Sequence, residues 1–148
     1  DAILAKAQDH ATAKKIDPSV QLSARLFPDM LPLVKQVQIA TDHAKGCVAR
    51  LAGVEVPKFE DTEQSFEDLR GRIARIIAFV ESFSAAQIDG SEERDIALKA
   101  GGQDMSFKGL PYLLGYAMPN FYFHLVTAYN ILRHNGVEIG KRDYIGTP

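Results

Sequence analysis

The sequence predicts an all-α fold: a four-helix bundle carrying one small inserted β-hairpin. Three observations predict it. Long segments place apolar residues three and four apart, the period of a helix buried on one face. Those segments open and close on recognisable start and stop residues. The apolar period drops to two only once, either side of a Gly-Gly pair.

Ile3, Ala7, Ala11 and Lys14 mark a first short helix, with Lys14 and Lys15 suited to its C-terminal end. Asp17 as N-cap and Pro18 at the first helical position start a second, expected to run to about Leu26. Asp29 is the expected N-cap of a third, with Pro32 inside its first turn and a stripe of Leu33, Val37, Ala40, Ala44, Cys47, Val48 and Leu51. Gly53 supplies a left-handed cap there, Val54 is expected to pack back on the last turn, and Pro57 prevents continuation. The clearest seam is Phe66, Leu69, Ile73, Ile76, Val80 and Phe83, with Asp61 and Gln64 read as its capping box. Gly71 inside that helix predicts a close helix contact.

Between Ser91 and Lys108, Ile96 and Leu98 alternate with Asp95, Ala97 and Lys99, and Met105 and Phe107 alternate with Ser106 and Lys108. Gly101-Gly102 between the runs predicts a hairpin that must lean on the helices. LPYLLGYAM adds a helical turn or two, the last helix covers about Pro119 to His134, and the tail VEIGKRDYIGTP reads as irregular.

The chain has 148 residues, the length of one domain, 1–148, able to bury roughly two-thirds of its unfolded surface. Its net charge of -2 leaves no basic excess to neutralise phosphates, which argues against nucleic-acid binding. Apolar runs fall short of the 18 or so residues of a membrane span. The lone Cys47 cannot form an internal disulfide, so a reducing, cytoplasmic setting is expected. The start, DAILAKAQDH, lacks a signal peptide's apolar centre; it also lacks Met and opens inside a helical pattern, so the true N-terminus is expected upstream or processed away.

Chemistry concentrates on the last helix. Asn120, Phe121, His124, Ala128, Ile131 and Leu132 share one face at 100° per residue. His124 reads either as a core histidine satisfied by a neighbour or as part of a site. His43, with Cys47 one turn on, projects from the flank of the stripe over 33–51. If those helices are neighbours, His43, His124 and either Asn120 or Cys47 converge. Two imidazoles and a third donor suit a divalent transition metal, zinc or nickel, or else a small-molecule pocket walled by Tyr116, Phe121 and Tyr129. His10 reads as a solvent or local contact, His134 as a C-terminal dipole partner, Asp42 as a partner of Lys45 or Lys35, and Arg50, Arg70, Arg72 and Arg75 as solvated. Ser-His-Asp arrangements, phosphate loops, CxxC and HExxH are absent from the sequence.

The order of helices, His43, and the stretches ARLFPDMLPLVKQVQIATDHAKG, LAGVEVPKFEDTEQSF and FHLVTAYNILRHNGVEIGKRDYIG resemble the DinB/YfiT-like four-helix-bundle superfamily, and more closely a domain-of-unknown-function branch of it. The resemblance covers nearly the whole chain. It implies a bundle, often dimeric, whose metal is held by three His, one on an early helix and two in an HxxxH pair on the last. Carried onto this chain, the ligands fall on His43 and His124, while Asn120 replaces the first His of the pair, giving NFYFH. The resemblance therefore implies a homodimer of unknown function with an altered metal site, either non-catalytic or ligand-binding. The alternative it implies is a metal-dependent enzyme of thiol-transferase or hydrolase type using His43 and His124.

Overall fold

The computed structural model describes residues 1–146. Helix α1 spans Ala2–Lys14, α2 Pro18–Ser23, α3 Leu33–Ala52 and α4 Phe66–Glu81, followed by the one-turn α5 at Ala85–Ile88. Strands β1 (Asp95–Ala100) and β2 (Gln103–Lys108) form the hairpin. A helical run then continues without interruption through α6 (Gly109–Tyr112), a π-turn (Leu113–Ala117) and α7 (Met118–His134), and α8 spans Lys141–Ile145. The predominantly helical fold with one antiparallel hairpin is the one the periodicities predict. At 20 residues, α3 is the central strut, packing most extensively on α7 and next on α4.

Helices start on residues of the expected kind, but α3 and α4 do so at shifted positions. Asp17 caps α2 through Ser19, but α2 ends at Ser23 rather than near Leu26. Asp29 does not cap α3; Pro32 does, in an extended conformation. A proline disfavours helical geometry in the residue before it, so Leu31 cannot lie inside the helix. Ser65, not Asp61, caps α4 by accepting from the Asp68 amide, while Asp68 accepts from the Gln64 amide. Gly71 is exposed with no neighbour to fill its face, so the close helix contact expected there does not form. Gly53 ends α3 with φ of 72°, and the Val54 amide reaches back to Ala49 O, though the Val54 side chain stays exposed.

The hairpin register pairs Ile96 with Phe107 and Leu98 with Met105 across a two-residue turn. Gly101 and Gly102 have φ of 56° and 80°, the left-handed values that a type I′ turn demands at both positions. Leu51, Ile96, Tyr112 and Ala117 form a small core that seats this hairpin on the end of α3. The main core joins α1, α2, α3, α4 and α7 through Leu4, Leu33, Phe66, Leu69, Ile131 and Leu132, with Val137 and Ile139 sealing it from the tail. The tail is thus more ordered than its composition implied: Val137 and Ile139 are buried and α8 follows, while Thr147 and Pro148 lie outside the described residues.

The π-turn ends at Ala117, two residues before Pro119. In a regular helix the proline ring clashes with the carbonyl four residues back, here Gly115 O. Widening that turn lets the helix pass through Pro119 without a break, and it aims Tyr116 toward α3. Among the described residues, no helix is long and apolar enough to cross a membrane.

Candidate functional site

The α3–α7 contact brings the two predicted histidines together. The His43 and His124 rings lie with centroids 5.9 Å apart and planes only 15° from parallel. Tyr116 meets the His43 ring edge-on at 5.8 Å, and Phe123 meets His124 at 5.2 Å, nearly perpendicular. Tyr116 in turn stacks on Tyr112 and contacts Phe107 of β2. An aromatic row therefore runs from the hairpin to the imidazoles and fixes their positions from one side. Arg50 donates to the Tyr112 hydroxyl, anchoring the row to α3.

His124 is held from the other side by a residue that the sequence reading did not single out. Gln36, buried on α3, donates its Nε2 to Leu31 O at 2.9 Å. That orients its Oε1 toward His124 Nδ1 at 2.7 Å. An amide oxygen only accepts, so Nδ1 carries the proton and Nε2 of the neutral ring keeps its lone pair. His124 is thus partly the satisfied histidine of the blander reading, but only at one nitrogen. Gln36 could have been found from its spacing, three after Leu33, four before Ala40 and seven before His43.

Both imidazoles are held below the ordinary histidine pKa. For His43, burial is the main cause, followed by the neighbouring His124 and the charge of Arg50, with Asp42 opposing. For His124, burial alone is responsible. Both rings are therefore neutral at pH 7. Cys47, one turn beyond His43, has its thiol pushed up to about 11 by burial, with Arg50 opposing. Asn120 donates one N–H of its Nδ2 to Tyr116 O at 2.7 Å, tying the π-turn to α7 and leaving its oxygen and second N–H uncommitted.

A cleft of about 220 Å³ opens beside His43, lined also by Cys47, Val48, Ala117, Met118 and Phe121, while His124 and Asn120 lie outside its lining. Of the residues expected to wall a pocket, Phe121 lines this cleft and Tyr116 abuts His43. Tyr129 instead packs on Tyr144, with ring centroids 5.7 Å apart, and on the main core. His10 is half-buried near Gly136, and His134 is exposed at the end of α7.

The expected third metal donor is weak. Among the described residues, no group of three or more His, Cys, Asp or Glu side chains is placed to hold an ion. The donors at this face are two imidazoles, one neutral amide oxygen and a protonated thiol one turn away. That set does not fit the three-imidazole site implied by the family resemblance.

One arginine of α4 departs from the solvated position expected of it, while Arg70 and Arg75 remain at the surface. Arg72 is fully buried, not solvated. Its Nε donates to Thr41 Oγ1 at 2.8 Å, and its terminal nitrogens meet Asp42 at 2.9 Å, Asp61 at 3.0 Å and Glu63 at 3.2 Å. Its position three after Leu69 and four before Ile76, inside the seam, was the overlooked signal. Asp42 also pairs with Lys45 at 2.8 Å, as expected.

Among solved structures, the chain is similar to the crystal structure of a DinB family member protein from Shewanella denitrificans, at 44% identity and a TM-score of 0.92, over 99% of this chain and 83% of that one. No curated protein matches it. Residues 1–145 match the family model described as Domain of unknown function (DUF1993), so the chain belongs to that family, a DinB-like branch of the helical bundles.

Proposed function

We propose that the protein is a ligand-binding helical bundle that receives a small molecule against the His43–His124 face and acts as a cytoplasmic homodimer. The observation that carries the site is the ring pair itself: two neutral imidazoles, stacked and half-buried, one with its proton fixed by Gln36. Such groups orient a ligand by hydrogen bonding and leave binding strength to the apolar walls. In a ligand screen followed by titration, His124→Ala and Asn120→Ala should each weaken the hits at least tenfold. Hits indifferent to both substitutions would remove the reading.

Homodimerisation is supported by an unpartnered face. From Gly109 to Leu132 the chain has no Asp, Glu, Lys or Arg. Along that run Leu110, Leu114, Met118, Tyr122 and Val126 are exposed at four-residue steps. An uncharged apolar stripe is complementary to itself across a two-fold axis. Light scattering should give twice the chain mass of 16.3 kDa, reverting to one on Tyr122→Glu. A monomer at micromolar concentration would end this part of the proposal. The lone, protonated Cys47 supports the reducing compartment, which fractionation of the source cells would test.

One observation favours a second reading, a metal-dependent enzyme of thiol-transferase or hydrolase type. The 5.9 Å ring separation is within the span of two imidazoles sharing an ion at metal–nitrogen distances of about 2.0–2.1 Å, once the near-parallel rings turn so that their in-plane lone pairs converge. The incomplete donor set keeps it second. Stoichiometric zinc or nickel in the purified protein, lowered by His43→Ala, would promote it.

A further inference from the structure

A larger cavity, about 380 Å³ and partly open to solvent, lies between α1, α3, α4 and α7. Its walls are aliphatic: Leu4, Val37, Ala40, Ile73, Ile76 and Ala128. Thr41 also lines it, but its hydroxyl already donates to Gln38 O and accepts from Arg72, so it offers nothing to a ligand. The charged lining groups, Asp1 and Glu81, are exposed at its edge. A space of this kind has lost wall-to-wall contacts that a packed core would make, which lowers stability unless something fills it.

This cavity and the His43 cleft share three walls, Ala44, Val80 and Phe121. At those residues the cleft adjoins a chamber that is apolar apart from Thr41 and the Asp1 and Glu81 groups at its edge. In the cleft itself lies an imidazole, His43, with no hydrogen-bond partner among the described residues and therefore free to adopt either tautomer. A hydroxyl, which both donates and accepts, matches such a ring. A carboxylate matches less well: among the described residues no Lys or Arg lines either space, and the Arg50 charge that acts on His43 lies outside the lining.

We propose that the two spaces form one site for a medium-chain aliphatic alcohol, its tail in the bundle chamber and its hydroxyl at His43. At about 30 Å³ per water-sized volume, which is close to that of one methylene, the chamber takes roughly a dozen carbons at most. This assignment rests on the His43–His124 reading for the head and on the chamber alone for the tail.

Calorimetric titration of the full chain with 1-butanol, 1-hexanol, 1-octanol and 1-decanol tests it. Affinity should rise about fourfold per methylene, and longer alcohols should stop gaining once the chamber is full. Octanoate should bind at least tenfold more weakly than 1-octanol. Ala40→Phe, which fills the chamber, should cost 1-octanol at least tenfold, and His43→Ala threefold to tenfold. If Ala40→Phe does not fold, Ile77→Asp at the exposed edge should weaken 1-octanol several-fold. Affinity without length dependence, or unchanged by the chamber variant, overturns the proposal whatever His43→Ala does. Affinity lost in the chamber variant but unmoved by His43→Ala and His124→Ala sustains the tail chamber and overturns the imidazole reading.

Discussion

Arg72 and His124 are both polar groups on the apolar face of a helix packed against α3, yet their surroundings differ completely. Arg72 is saturated. Thr41, Asp42, Asp61, Glu63 and the Glu60 carbonyl surround it, and Gln38 holds Glu63 in turn at 2.8 Å. His124 is half-satisfied: Gln36 takes Nδ1, and Nε2 has no protein partner among the described residues. A permanent charge taken out of water is tolerated only when nearly every donor is met. A neutral imidazole tolerates an open nitrogen. The saturated cluster therefore fastens the 53–65 loop and α4 to α3, whereas the open one has capacity left for a ligand. Polarity inside the bundle does not by itself mark a site; unspent hydrogen-bonding capacity does.

Removing Arg72 should have the largest effect. Arg72→Met leaves Glu63, whose side chain is 2% exposed, with only the longer cationic contact to Arg75 at 3.7 Å. The expected loss is about 3–5 kcal/mol in urea unfolding. In the molecules that remain folded, ligand affinity at the histidine face should be unchanged. A loss under about 1 kcal/mol, or a selective loss of binding, would erase the contrast between the two clusters.

Gln36→Leu should cost less stability and more function. It strips the acceptor from His124 Nδ1 and the donor from Leu31 O, about 1–3 kcal/mol of unmet polar groups. Nitrogen NMR of His124 should show the Nδ1–H tautomer in the native protein and a mixture in the variant. A native ring found mainly as Nε2–H would refute the tautomer assignment.

Acid should act on the histidine face before it reaches the Arg72 cluster. Both histidines have folded pKa values below the ordinary 6.5. The unfolded chain therefore binds protons first, and stability falls as pH drops below about 6.5 toward the folded values. Burial would raise the Asp61 pKa, but Lys35 and Arg72 outweigh it, so that carboxyl stays below 3.8 and its loss comes only in stronger acid. The urea midpoint should decline between pH 7 and 5, and His43→Phe should flatten the decline. An unchanged slope would mean that these rings are not the groups titrating.

Cys47 should show the smallest effect. With its pKa near 11, little thiolate exists at pH 7.4, so iodoacetamide should modify it at least tenfold more slowly than a free cysteine. Modification at an ordinary rate would show that the cleft is wetter than its burial implies.

How much was legible followed from how local each signal is. Apolar spacing gave α1, α3, α4 and α7, and Gly101-Gly102 gave the hairpin, because those choices depend on neighbours along the chain. His43 and His124 were legible as a pair, since each lies on or beside an apolar stripe. Arg72 was misread because its residue type outweighed its place in the seam, and Gln36 was passed over because a glutamine on a stripe looks unremarkable until its partner is known.

What the sequence alone determined was periodicity: which faces are apolar, where the chain turns, and that a polar pair sits on the inner surface. The tertiary structure decided which faces meet and which polar atoms find partners. Docking α7 on α3 brings Gln36 and His124, 88 positions apart, within 2.7 Å, and docking α4 on α3 brings Arg72 to Thr41 and Asp42. Hydrogen bonds act over about 3 Å and carry no record in local sequence. Whether a buried polar group is spent or still available is settled only when the helices pack.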